Sequence, residues 1–261
     1  MNLYDCHLHS SLSFDSQEPM ENYVKAAKAK GDKYFITTEH MDLESNFAGR
    51  EDIVADFELQ QKMVKDLSAK YDMEVLFGIE VGWREDIHSR NLEIVQKYPF
   101  DMVIMSVHES MEYDVAFPAF SRGRTVDDCY DEYLYLILQA LENFDDFDTL
   151  GHFDYLLRYI GHTDMANHRE KLTEILSLLI AKDKCLEINT KMLHTPQAVE
   201  RLEYVLQLYT SLGGTKVTIG SDAHQLKYWQ SSFPLATELL KKHGIDAVYV
   251  FKGRKGHKIF I

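Results

Sequence analysis

The chain has 261 residues, 45% hydrophobic and 27% charged, with a formal net charge of -14 at pH 7. That length fits one α/β barrel or two small domains, and the composition is that of a globular protein able to bury a large core. The acidic excess disfavours long nucleic acid as a partner, no apolar run nears the ~20 residues of a membrane span, and the absence of a basic-then-apolar leader makes the cytoplasm the expected location.

Strand-like and helix-like stretches alternate along the chain. Residues 3–8 read as a first strand. A helix follows from Glu18-Pro19-Met20 to Lys30, with Pro at an early position and Gly31 as its stop. Residues 33–38 are a second strand. Residues 50–70 carry Ile53, Phe57, Met63, Val64 and Leu67 at helical spacing and read as one helix. Residues 74–79 form a third strand, 86–97 a short helix, and 101–107 a fourth strand. Residues 126–141 are helical, and 148–150 form a weak fifth strand. Residues 167–182 are helical, with Asn167 as the N-cap. Residues 185–188 are a sixth strand, 195–212 a long helix closed by Gly213-Gly214, and 216–219 a seventh strand. A helix near 233–243 and a strand pair at 247–251 and 257–261 complete the chain. No linker, repeat or low-complexity segment interrupts it, so one domain over residues 1–261 is expected. Seven parallel strands with intervening helices imply a closed barrel, slightly short of eight. An open doubly wound sheet is the second possibility.

Six short segments carry histidines and acids: His7-Leu8-His9, Thr38-Glu39-His40, Gly78-Ile79-Glu80, Ser106-Val107-His108, Gly151-His152-Phe153-Asp154 and Gly220-Ser221-Asp222-Ala223-His224. Most of them end an apolar run. In a parallel barrel, the C-terminal ends of the strands converge on one mouth. Imidazoles and carboxylates gathered there suit a metal site. Strand alternation puts Asp5, His7 and His9 on one face and turns Cys6 and Leu8 towards the helices. Cys6, Cys129 and Cys185 are far apart with no CxxC, so neither a disulfide framework nor a thiolate zinc site is expected. Glu39 and Asp154 stand beside ligand candidates, where they either orient an imidazole or are plain loop acids. His88, His162, His168, His194, His243 and His257 lack partner motifs.

Taken together, the segments resemble the PHP family, named for polymerase and histidinol phosphatase. The resemblance rests on His7/His9, His40, Glu80, His108, His152 and Asp222/His224, and spans residues 5 to 224. The segment Glu187-Ile188-Asn189-Thr190 is similar to the histidinol-phosphate phosphatases within it. The resemblance implies a distorted (βα)7 TIM-like barrel holding two to three divalent ions of zinc, manganese or iron. It implies that His7, His9, Glu80 and Asp222 hold one metal. Glu80, His108 and His152 hold a second, and Asp15, His40 and His224 a third. Asp15 departs from relatives with His in that loop. Glu80, Asp222 and His224 are the expected catalytic residues.

The implied activity is hydrolysis of a small phosphorylated metabolite, L-histidinol phosphate of histidine biosynthesis, by water activated between two cations. Arg158, Lys191 and Arg122 are candidates for the phosphate, and Glu109 for the substrate ammonium. Phe14, Tyr113, Phe117 and Phe120 are candidates for an aromatic wall. Two other readings are a PHP phosphoesterase acting on another small ester, nucleotide or nucleic-acid end, and a non-catalytic metal-stabilised module. The oligomeric state is not legible.

Overall fold

The chain runs as helices layered outside a mostly parallel sheet in this computed structural model, which describes residues 3–261. The sheet strands are β1 (Tyr34–Ser45), β2 (Glu51–Val54), β3 (Glu74–Gly82), β4 (Met102–Ser106), β5 (Thr149–Leu150), β6 (Cys185–Asn189) and β7 (Val217–Gly220). They lie in the order β2-β1-β3-β4-β5-β6-β7. All pairs are parallel except β2, which runs antiparallel along β1 at the edge.

The N-terminal segment closes this sheet into a distorted (βα)7 barrel. Cys6 N–H donates to Ile219 O at 2.9 Å and Asp222 N–H to His7 O at 2.8 Å, joining the segment to the β7 side. Thr38 N–H donates to Leu8 O at 3.0 Å, joining it to β1. Among the described residues of the segment, only Leu8 forms a regular bridge, to Ala223. The rest of the segment is irregular backbone, and the expected alternation fails there. Cys6 packs with Ile36, Leu76, Met102, Ile104 and Cys185 in a cluster that fills the barrel below the mouth. Asp5 turns instead to Ser221, accepting from its backbone N–H at 2.9 Å and its hydroxyl at 2.5 Å.

The outer layer is built from α1 (Met20–Lys30), α2 (Phe57–Tyr71), α3 (His88–Lys97), the single turn α4 (Pro118–Ser121), α5 (Val126–Asn143), the single turn α6 (Leu157–Ile160), α7 (Arg169–Ala181), α8 (Pro196–Ser211) and α9 (Phe233–Lys242). Their apolar faces, including Tyr23, Val64, Ile137, Leu176, Val205 and Leu239, bury against the sheet in one large core. The hairpin of β8 (Ala247–Lys252) and β9 (Lys255–Phe260) seats Val250 and Phe251 in the lower cluster. Among the described residues no helix is long and apolar enough to cross a membrane.

Three expectations need correction. The single helix over residues 50–70 is instead β2 followed by α2, which starts where the Asp56 side chain accepts from Leu59 N–H. Ile53 therefore belongs to a strand that pairs with Asp42, and helical spacing misread it. Asn167 does not cap α7. Asp164 caps a 3-10 turn over Met165–His168, and α7 begins at Arg169. Strands β1 and β3 run on past residues 38 and 79, so His40 and Glu80 lie within strands rather than after them.

Candidate active site

Glu80 is the centre of the mouth. It lies on β3, fully buried, in register with His40 on β1. Five imidazoles surround its carboxylate. His7 Nε2, His9 Nε2 and His40 Nδ1 approach Oε2 at 3.2, 3.4 and 3.0 Å. His108 Nε2 and His152 Nε2 approach Oε1 at 3.2 and 2.9 Å, and the Ser106 hydroxyl donates to Oε1 at 2.7 Å. One carboxylate has too few lone pairs for so many well-aligned donors. Accordingly, His7 Nε2, His9 Nε2, His40 Nδ1 and Glu80 Oε2 are buried without a hydrogen-bond partner. Buried polar atoms left unmatched are costly, and their convergence on one point fits divalent cations.

The donor set is nitrogen and oxygen with no thiolate, suited to zinc, manganese or iron. Four overlapping groups bring their ligand atoms within 4.8 Å: His7/His9/Glu80, His40/Glu80/His108, His9/His40/His224 and His7/His152/Asp222. Such overlap fits several ions better than one. Asp15 adds to the group on the His224 side, with Oδ2 at 2.8 Å from His224 Nε2 and 3.7 Å from His40 Nε2.

The charges are mutually dependent. Burial alone would raise the Glu80 carboxyl, but His7, His108 and His40 outweigh it and hold it well below the ordinary range. Burial would lower His40, yet Glu80 and Asp15 push it up to about 10. His9 goes the other way, driven well down by burial and by the neighbouring His40 and His224.

Close backbone approach makes the cluster possible. A Cβ on Gly220 would lie 2.4 Å from the His7 Cβ, and one on Gly82 would lie 1.8 Å from Asp42 Oδ1. Beyond Gly220 the chain turns through Asp222 at φ 51°, a left-handed conformation that costs energy outside glycine. The Asp5 contacts to Ser221 and the Asp222 N–H bond to His7 O brace this turn.

A cationic edge faces the cluster. Arg158, from α6, donates from Nη1 to Asp222 Oδ2 at 2.7 Å. Lys191 donates from Nζ to Asp222 Oδ1 at 3.0 Å. Burial would raise the Asp222 carboxyl, and these two cations hold it well below the ordinary range. Arg158 and Lys191 line an open cleft together with His40, His108, His152, Asp222 and His224.

The PHP domain family matches residues 5–191. The chain belongs to this family. It is 33% identical to the histidinol-phosphatase of Lactococcus lactis, covering 98% of this chain and 96% of that relative. A probable histidinol-phosphatase of Clostridium acetobutylicum is 29% identical, over 96% of this chain and 97% of the relative. Among solved structures, the Lactococcus lactis histidinol phosphate phosphatase complexed with zinc, L-histidinol and phosphate superimposes with a TM-score of 0.92 at 31% identity, covering 98% of this chain and 99% of the other. A chain in an archaeal ribonuclease P structure with mature tRNA has a TM-score of 0.52 at 14% identity, over 86% of this chain and 84% of the other, a likeness of fold alone.

Not every expected residue of this PHP chain reaches the cleft. Arg122 is exposed at the end of α4 and does not line the cleft. Glu109 lines the cleft but its oxygens are already taken. It accepts from Arg84 Nη1 at 2.6 Å, Ser45 Oγ at 2.5 Å and Asn46 N–H at 2.9 Å, which corrects its assignment to a substrate ammonium. Phe120 is buried away from the cleft and Tyr113 does not line it. Phe14 does, joined by Phe47 at 5.4 Å between ring centroids, with Phe117 packed behind at 5.7 Å. Asp154 pairs with Arg201 Nη2 at 3.0 Å and orients no imidazole. Glu39 does act on one, through Ser13: the Ser13 hydroxyl donates to it at 2.6 Å and lies 3.4 Å from His9 Nδ1. Of the other histidines, His168 is fixed by Asp131 and Thr163 at 2.6 and 2.9 Å.

Sequence reasoning missed four groups. Asp42 bonds His108 Nδ1 at 2.7 Å, and Glu187 bonds His7 Nδ1 at 2.6 Å. A carboxylate on the far nitrogen of a ligating imidazole fixes its orientation. Tyr155 stacks on His152 at 4.8 Å and lies under the Arg158 guanidinium at 5.2 Å. Asp114 lines the cleft, and burial raises its carboxyl to about 6. Asp42 was findable, because it sits two residues beyond His40 on the same strand face.

Proposed function

We propose that this chain is a metal-dependent phosphomonoesterase that hydrolyses L-histidinol phosphate to L-histidinol and phosphate in histidine biosynthesis, acting in the cytoplasm as one catalytic domain. The observation that carries the reading is the end-to-end likeness to the lactococcal phosphatase complexed with zinc, L-histidinol and phosphate. The Glu80-centred cluster and its cationic edge support it.

Two to three divalent cations, zinc foremost, fit the mouth. His7, His9, Glu80 and Asp222 would hold one, Glu80, His108 and His152 a second, and Asp15, His40 and His224 a third, although the ligand atoms also group as His40/Glu80/His108 and His7/His152/Asp222. Bound there, they would supply Lewis-acid stabilisation of phosphoryl charge and lower the pKa of water. The protein's own residues bind and orient. Arg158 and Lys191 flank Asp222 and present their remaining donors to the phosphoryl oxygens, where a planar guanidinium suits two-point contact. The Tyr155 ring supports the guanidinium from one side. Phe14 and Phe47 wall the cleft, restrict water and offer ring faces to the substrate imidazole. Asp114 takes the role first given to Glu109. Its carboxyl is raised by burial, and the substrate ammonium supplies the cation that lets it ionise.

The test is phosphate release by zinc-loaded protein from a panel: L-histidinol phosphate, an aryl phosphate, a sugar phosphate, a nucleotide and a phosphodiester. Histidinol phosphate should have the highest kcat/KM. A preference for the nucleotide or the diester would replace this reading with that of a nucleic-acid-directed phosphoesterase.

A further inference from the structure

Glu187 and Asn189 stand two residues apart on β6 and therefore share a face. Neither lines the cleft, yet together they touch both halves of it. Glu187 is buried, and each of its oxygens is engaged. Oε1 faces His7 Nδ1 at 2.6 Å. Oε2 accepts from the His152 backbone N–H at 2.7 Å and from Asn189 Nδ2 at 3.1 Å. Asn189 continues the run from its other amide atom. Its Oδ1 accepts from Arg158 Nη2 at 3.1 Å and from the Lys191 backbone N–H at 3.1 Å. Only one orientation of this amide satisfies all its neighbours, since a flip would set Oδ1 against the Glu187 carboxylate and Nδ2 against two donors. The backbone makes room for the arrangement, because a Cβ on Gly220 would fall 2.6 Å from Glu187 Oε1.

We propose that Glu187 and Asn189 form a positioning relay that sets His7 and Arg158 in register with each other. The proposal rests on the reading of His7 as a metal ligand and Arg158 as a phosphate contact. Glu187 takes the Nδ1–H of His7, which fixes the tautomer and leaves Nε2 as the lone pair facing Glu80. Asn189 holds one guanidinium nitrogen so that Arg158 enters the cleft at one angle. The metal side and the phosphate side then share one rigid support on one strand. Asparagine is required in the middle. An aspartate would place like charge beside Glu187, and a smaller residue would leave Arg158 with Asp222 as its one hydrogen-bond acceptor among the described residues.

The experiment uses zinc-reconstituted enzyme and the variants Glu187→Gln, Asn189→Ala, Arg158→Ala and Arg158→Ala/Asn189→Ala. Zinc affinity is read by competition with a chromophoric chelator, and phosphate affinity as the competitive inhibition constant of inorganic phosphate. Both are set beside kcat, KM and the melting temperature. Asn189→Ala should weaken phosphate about tenfold and raise KM while leaving zinc affinity unchanged. In the Arg158→Ala background it should do little more, because both act through one contact. Glu187→Gln should weaken zinc about 10–100-fold and also weaken phosphate through Asn189. Glu187→Asp, which keeps the charge and shortens the reach, is the second variant and should show the same double loss. Additive losses from Asn189 and Arg158, or unchanged zinc affinity in both Glu187 variants, would overturn the relay. If Arg158→Ala weakens phosphate and Asn189→Ala does not, the relay alone fails. If Arg158→Ala leaves phosphate binding intact, the phosphate role of Arg158 fails and the relay with it.

Discussion

Arg158 Nη1 donates to Asp222 Oδ2 at 2.7 Å, so the side chain proposed to bind phosphate is fastened to a member of the imidazole–carboxylate cluster. The contact joins the two chemical halves of the site. In the proposed role, Arg158 serves what all phosphomonoesters share. Arg158→Ala should lower kcat/KM for L-histidinol phosphate and for an aryl phosphate by similar factors. The expected loss is about 1.5–3 kcal/mol of transition-state stabilisation, the scale of a charge-assisted contact. A loss confined to histidinol phosphate would assign Arg158 to the leaving group instead.

Glu80→Ala should abolish turnover while the barrel stays folded. Glu80 is the acceptor on which five imidazoles converge, and the apolar core lies below and outside the mouth. Metal analysis of the variant should show fewer equivalents than the parent, with an unchanged far-UV spectrum. Normal metal content with near-normal turnover would remove Glu80 from the site.

Glu109 is a structural acid by its contacts, and its replacement should read as instability. Glu109→Ala leaves the buried Arg84 guanidinium without its 2.6 Å partner and frees Ser45 and Asn46. Stranding one member of a buried pair typically costs about 3–5 kcal/mol. Here Arg84 keeps its contact to Asp86, so the lower end is expected. Chemical denaturation measures the loss. Its effect on kcat/KM should be the same for cationic and uncharged esters, whereas selective loss of histidinol phosphate would restore the ammonium role.

Asp114 gives a pH-dependent prediction. Burial raises its carboxyl to about 6 from an ordinary 3.8. The folded state therefore holds the proton more tightly than the unfolded chain. Its favourable contribution is present below about pH 4 and is lost as pH rises through 6. Asp114→Asn removes that loss and keeps an acceptor for the Ala116 N–H. In chelator-treated protein the variant should be more stable than the parent at pH 7, on the order of 2–3 kcal/mol, with most of that difference gone at pH 4. Its kcat/KM should fall for histidinol phosphate and hold for an aryl phosphate. Equal stability at both pH values would mean that Asp114 is already ionised in the fold.

Much of this was legible from histidines and acids set at or near the C-terminal halves of the strands. His7, His9, His40, Glu80, His108, His152, Asp222 and His224 carry the site because barrel topology turns a linear spacing into a ring. What was not legible depends on side-chain partners chosen in three dimensions. Glu109 looks available in sequence, and only the fold brings Arg84 against it. Asp42 and Glu187 support imidazoles from strands that the periodicity read too short or without regard to face. The edge strand β2 was hidden because Ile53 and Phe57 are also one helical turn apart. The irregular N-terminal segment defeated simple alternation, since backbone bonds to two neighbours set its course.

Hydrolysis of L-histidinol phosphate at a site of more than one metal is open to direct test. The most direct measurement is phosphate release from that ester as chelated protein is titrated with zinc. There should be no turnover without metal, and activity should rise until two to three equivalents are bound. Full turnover in metal-free protein, or a plateau at a single equivalent, would contradict this reading.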